Sequence, residues 1–151
     1  VARAVQVANE IWAPANITFN VRATTDECVP APNESEAVDR NGFFFLAKQF
    51  PSRMAVSLLL VSRVSEPALA GEAVNELSVC LLPALGHPLS GQTLAHELGH
   101  LLSLGHVFSE EEVSDNYNLM YPGARAGHQL TEQQCNTALR SALALRFTPR
   151  P

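Results

Sequence analysis

Apolar residues recur at helical spacing where the chain begins: Val1, Ala4, Val5, Ala8, Ile11 and Trp12 form one stripe before Pro14 stops the pattern. The pattern predicts an amphipathic helix whose stripe packs on a sheet. The period then shortens to two in ITFNVRA, Ile17 to Ala23, predicting a strand with one buried face. The acidic, Pro- and Asn-rich stretch TTDECVPAPNESEAVDRNG reads as a loop with at most weak edge structure.

GFFFLAKQFP predicts a short helix ended by Pro51, and MAVSLLLVS is a continuous apolar run of the kind a strand buried on both faces shows. That run is expected at the sheet centre. ELSVCLLP, shorter and ended by Pro83, predicts an edge strand. SGQTLAHELGHLLSLG then combines Ser90 as N-cap, a helical apolar pattern and Gly105 as a stop. In LTEQQCNTALRSALALRF, Thr131 and Gln134 stand at capping-box spacing, and Ala138, Leu139, Ala142 and Leu143 share a face, predicting a terminal helix. The chain has no internal repeat or low-complexity tract.

A length of 151 residues with 46% hydrophobic content suits one domain, 1–151, around one core. The net charge of -5, with nine Arg and one Lys scattered along the chain, argues against nucleic acid as a partner. The longest apolar runs fall well short of the roughly 20 residues that cross a bilayer, so no membrane span is expected. The opening VARAVQVANEIW has no initiator Met, basic n-region or apolar h-region, which fits a start inside structure after removal of a signal or pro-segment. Cys28, Cys80 and Cys135 are odd in number and form no Cys-x-x-Cys pair. They read as small buried hydrophobes or as one disulfide plus a free thiol. All three pairings are open, with Cys80 to Cys135 preferred.

The chemistry gathers in HELGHLLSLGH, His96 to His106. His96 and His100 project from one face of a helix and can place two imidazole nitrogens on one ion, with Glu97 beside them to reach water at that ion. A third ligand is available in His106. Glu110, Glu111, Glu112 and Asp115 compete for that place, because zinc also accepts carboxylate oxygen, although such an acidic run ordinarily forms a solvated loop. His87 and His128 read as surface histidines.

The sequence His96-Glu97-x-x-His100, then His106, then NLMYP at Asn118 to Pro122, resembles the metzincin zinc endopeptidases, marked by His-Glu-x-x-His-x-x-Gly-x-x-His and a methionine turn. The resemblance covers Thr93 to Pro122, and LMYP is similar to the matrix metalloproteinase form of the turn. One position departs: Ser103 stands where the family has glycine, at a cost of roughly 1 to 2 kcal/mol if the backbone conformation is left-handed. Gly105 offers a second place for the helix to turn.

The resemblance implies an α+β fold with a twisted mixed sheet, a backing helix, an active-site helix carrying the zinc ligands, and a small helical C-terminal subdomain. It implies one catalytic Zn²⁺ on His96, His100 and His106, with Met120 beneath it. Three neutral imidazoles leave zinc a position for water and keep its power to acidify that water, and Glu97 would serve as general base and then general acid. The substrate would be an extended polypeptide, held as an added strand along Leu77 to Leu82. Gln92, Tyr121, Pro122 and Gly123 would help form its pocket. Secretion is expected on the same ground. The competing expectation is a zinc-containing peptide-binding module with little proteolysis, in which Ser103 misplaces His106.

Overall fold

The computed structural model describes residues 1–24, 37–49, 55–61, 63–64, 71–83, 90–107, 117–122 and 127–147. It is a mixed α+β structure with four helices and a three-stranded mixed sheet among these residues. None of its helices is long and apolar enough to cross a membrane.

Helix α1, Ala2–Trp12, follows the predicted stripe, and Ala4, Ala8, Ile11 and Trp12 are buried. A short 3-10 turn, Ala13–Ala15, carries Pro14 and closes on Asn16 in the left-handed region at φ 54°. The stripe packs chiefly on a helix rather than on the sheet expected. Its partner is α3, Gly91–Leu101, and the Trp12 indole N–H donates to the Ala95 carbonyl at 3.1 Å. Small residues allow the approach: a methyl group built on Gly91 would collide with the Val7 side chain.

ITFNVRA does not form a strand. Its alternation is nonetheless physical, since Ile17 is buried and Phe19 packs edge-on to Trp12. The backbone partner is a side chain: Phe19 N–H donates to Asn9 Oδ1 at 2.8 Å, and Asn9 Nδ2 donates back to the Phe19 carbonyl at 3.0 Å. One asparagine on α1 replaces one rung of a ladder, so no neighbouring strand is needed there.

Strand β1, Ala37–Val38, pairs in parallel with β3, Arg63–Val64. Helix α2, Arg40–Gln49, starts earlier than predicted because Asp39 caps it, its Oδ1 accepting Gly42 N–H at 2.6 Å. In the larger sheet the order is β2-β5-β4, with β2 at Ser57–Val61, β4 at Glu72–Val74 and β5 at Val79–Pro83. β2 runs parallel to β5 and β4 antiparallel to it.

This order reverses two expectations. β5, expected at an edge, is the middle strand and buries Val79, Cys80, Leu81 and Leu82 completely. β2, expected at the centre, pairs on one side only among the described residues, and Leu60 is 43% exposed. Both segments are apolar throughout, and an apolar run records burial without recording how many neighbours a strand has. Little of Leu77 to Leu82 is therefore open to a substrate strand: Leu77 ends a 3-10 turn, and Val79 to Leu81 are paired on both sides.

The period of two in β5 divides the core. Val79 and Leu81 face Phe43, Leu46 and Ala47 of α2, together with Val38 and Val74. Cys80 and Leu82 face the cluster built by α1, α3, Leu119, Met120 and Ala138. Helix α3 is thus held between the sheet and α1, which fixes the element that carries the histidines. Helix α4, Glu132–Phe147, closes the described chain, and its capping box is made: Gln134 N–H donates to Thr131 Oγ1 and Thr131 N–H to Gln134 Oε1.

The preferred Cys80 to Cys135 bridge is absent, both being free thiols. Cys80 is enclosed in the centre of the sheet, whereas Cys135 lies half-buried on α4. Cys28 lies outside the described residues.

Candidate metal centre

Ser90 caps α3 as predicted, its hydroxyl accepting Thr93 N–H at 3.2 Å. Leu94, Ala95, Leu98 and Leu101 bury one side of this helix and turn His96 and His100 toward a common point. The helix does not run on to Gly105. It ends at Leu101, and Ser103 adopts the left-handed conformation at φ 67°. Ser103 N–H donates to the His100 carbonyl and Leu104 N–H to the Gly99 carbonyl, each at 3.0 Å. These two bonds are those of a Schellman terminus. Leu104 is buried as the motif prefers, and the Ser103 hydroxyl lies 3.1 Å from that of Ser141 on α4. Gly105 has no left-handed backbone, and a methyl group there would meet nothing within 4 Å.

The turn brings His106 back to the helix. The three Nε2 atoms form a near-equilateral triangle, with His96 to His100 at 3.1 Å and both other edges at 3.2 Å. A carbonyl oxygen can only accept, so the 2.6 Å contact between His96 Nδ1 and the Leu119 carbonyl places the His96 proton on Nδ1. The 2.9 Å contact of His100 Nδ1 with the Leu104 carbonyl does the same there. Both Nε2 atoms are then bare lone pairs, and their 3.1 Å approach cannot be a hydrogen bond between neutral rings.

A cation resolves this convergence. Tetrahedral zinc with nitrogen ligands at about 2.0–2.1 Å separates those nitrogens by about 3.3–3.4 Å, close to the triangle present. The three histidines can hold a metal ion, and the donor set fits zinc. Burial holds the His96 pKa down at about 4, with the neighbouring His100 and His106 adding to the effect against the Leu119 hydrogen bond. His106 is also lowered, by burial and by His100. Neutral imidazoles, the form that binds metal, are thereby favoured.

Glu97 is 5% exposed and lies against Gly71, where an added methyl group would come within 2.8 Å of its Oε1. Burial, with the charge of Glu72 on β4 adding to it, pushes its pKa up to about 8. Cys80 beneath it is no nucleophile: burial, then the charge of Glu97, pushes its thiol up to about 12.

Met120 is fully buried, and its thioether supports the histidine helix at Gly99, where a methyl group would lie 2.5 Å from Sδ. Gln92 donates to the Gly127 carbonyl at 2.9 Å, tying α3 to the segment beyond Pro122. Tyr121 and Pro122 are half-buried; Gly123, the acidic residues Glu110 to Glu112 and Asp115, and His87 lie outside the described residues. His128 is exposed. Glu72, Gly71, Ser141 and Gln134 complete the surroundings without having been singled out for the site, although Gln134 was legible as a helix cap.

No family model matches the sequence, and no curated protein is significantly similar to it. Among solved structures the fold recurs. A zinc-dependent peptidase from Methanocorpusculum labreanum superimposes with a TM-score of 0.62 over 92% of this chain and 94% of that one, at 16% identity.

Proposed function

We propose that this protein is a zinc-dependent endopeptidase of metzincin type, with Glu97 as its general base and acid. The observation that carries this reading is the triangle of three Nε2 atoms, two of them with their protons fixed on Nδ1 by backbone carbonyls. Likeness in fold to a zinc-dependent peptidase supports it. His106 Nε2 stands 3.2 Å from both partners despite Ser103, which favours the enzyme over the peptide-binding module.

His96, His100 and His106 would hold one zinc ion, with Met120 packed beneath them as the methionine turn. Zinc, when bound, supplies Lewis acidity that polarises a peptide carbonyl and makes water nucleophilic near neutral pH. Glu97 performs the proton transfers. A nearby divalent charge favours its carboxylate, offsetting burial and Glu72, and its desolvated setting keeps it a competent base. It accepts a proton as water attacks the carbonyl and passes that proton to the departing amine. Among the described residues β4 is the outer strand of the sheet on the side of α3, and it, rather than the central β5, would receive an extended polypeptide as an added strand. Tyr121, Pro122 and Gln92 would then help form the substrate pocket, Gln92 through its hold on Gly127.

The test is zinc stoichiometry together with chelator-sensitive cleavage of an unfolded protein. One zinc per chain and loss of cleavage in Glu97→Gln by a factor of about 10²–10⁴, with zinc retained, is the expected result. Zinc without cleavage in the wild type would replace this reading with the peptide-binding module.

A further inference from the structure

Asn118 is 1% exposed, and its side-chain amide faces that of Gln134 across the start of α4. The two form a reciprocal pair: Asn118 Nδ2 donates to Gln134 Oε1 at 2.8 Å, and Gln134 Nε2 donates to Asn118 Oδ1 at 3.1 Å. Each oxygen also accepts a second bond, Gln134 Oε1 from Thr131 N–H and Asn118 Oδ1 from Met120 N–H at 2.8 Å. Neither amide can flip without breaking contacts on both sides.

The backbone around this pair is fixed from every direction. Leu119 N–H donates to the Gln129 carbonyl, Gln129 N–H to that of Tyr117, and Gly127 N–H to that of Asn118. Two carbonyls of the turn remain for the metal centre. That of Leu119 accepts from His96 Nδ1, and that of Met120 accepts Val107 N–H at 3.0 Å, immediately after His106.

We propose that the Asn118–Gln134 amide pair is the positioning element of the metal centre, setting the Leu119 carbonyl that fixes the tautomer of His96 and the Met120 carbonyl that anchors the chain at His106. The proposal rests on the zinc reading above for its purpose. Its geometry does not. Outer partners that orient histidine ligands ordinarily change metal affinity by 10–100-fold when removed. Gln134 therefore serves two ends at once, as the cap of α4 and as the clamp on the turn.

Three variants separate these ends. Gln134→Met removes both amide bonds. Gln134→Glu keeps an oxygen for Thr131 N–H and for Asn118 Nδ2 but turns a second oxygen toward Asn118 Oδ1. Thr131→Val weakens the cap and leaves the amide pair intact. The readouts are the His96 tautomer in metal-free protein, from long-range ¹⁵N–¹H correlations, the zinc Kd by competition with a chromogenic chelator, and thermal unfolding. Gln134→Met is expected to give a mixture of His96 tautomers and a zinc Kd at least tenfold weaker, with Gln134→Glu changed in the same direction. Thr131→Val is expected to unfold at lower temperature with wild-type tautomer and Kd. A single Nδ1–H tautomer and unchanged Kd in both Gln134 variants would overturn the proposal, as would equal loss in Thr131→Val. If the wild type binds no zinc, the peptidase reading falls, and the tautomer comparison in metal-free protein still decides for or against the amide pair.

Discussion

Replacing Ser103 with glycine tests whether the departure from the zinc motif matters. At φ 67° a residue bearing a Cβ pays about 1–2 kcal/mol that glycine does not. Two terms oppose the relief. The Ser103–Ser141 hydrogen bond, between hydroxyls 3.1 Å apart at an exposed position, contributes about 0.5–1 kcal/mol. Glycine also frees the unfolded chain, worth about 0.4–1 kcal/mol against folding. The difference falls between about -1 and +1 kcal/mol, or less than about 4 °C in Tm for a domain of this size.

Zinc affinity should change even less, within about threefold, because His106 is delivered by the bonds from Ser103 N–H and Leu104 N–H, which glycine at 103 preserves. Denaturant unfolding and zinc competition on wild type, Ser103→Gly and Ser103→Val check both numbers. The valine variant provides contrast, since a β-branched residue at this φ is strained and the hydroxyl contact is lost, for an expected cost of about 1–2 kcal/mol. A tenfold gain in zinc affinity by Ser103→Gly, or cleavage that appears only in that variant, would refute the reasoning and show that serine displaces His106.

Gly99→Ala should destabilise the protein by about 1–3 kcal/mol and weaken zinc binding, because its methyl group would lie 2.5 Å from Met120 Sδ; wild-type unfolding would mean the thioether can swing aside. Gly71→Ala should reduce turnover more than zinc affinity, its methyl group pressing on the Glu97 side chain at 2.8 Å, as steady-state kinetics beside zinc competition would reveal. Metal-free stability should fall as pH rises from about 6.5 to about 8. Glu97, raised from 4.5 to about 8, contributes stability that is complete below 4.5 and lost as pH rises through about 8. His96, lowered from 6.5 to about 4, contributes stability present above 6.5 and lost as pH falls through about 4, so the two slopes oppose each other in the interval between. Urea unfolding of wild type and Glu97→Gln across this range should show the decline above 6.5 in the wild type alone.

Helices α1, α3 and α4 were legible because each carries its own signal: an apolar stripe, a capping serine or threonine, a proline after the end. Strand identity was legible for β2 and β5, but their order was not. Sheet order is decided by which strands meet, and the shorter length and terminal Pro83 that set ELSVCLLP apart from MAVSLLLVS carry no information about that. ITFNVRA misled for a related reason. Alternation shows which side chains face inward, while the partner of the backbone was Asn9, a polar residue within another element's helix.

The candidate site divides along the same line. His96 and His100 are one helical turn apart, so their common face follows from the helix itself, and Glu97 follows with them. His106 depended on the chain turning at Ser103 rather than Gly105, and residue preference pointed weakly both ways. Backbone bonds decided it: the turn comes two residues earlier, at Ser103, where Ser103 N–H and Leu104 N–H close the helix and Leu104 is buried, which offsets the strain of a serine at positive φ. The supports furthest from local reading are Glu72 beside Glu97 and Gln134 on Asn118. Each joins groups at least 16 residues apart whose types are ordinary in isolation. Gln134 shows why such pairs escape notice: a capping box accounts for the residue fully, so nothing in the sequence asks for the second bond that ties the last helix to the metal centre.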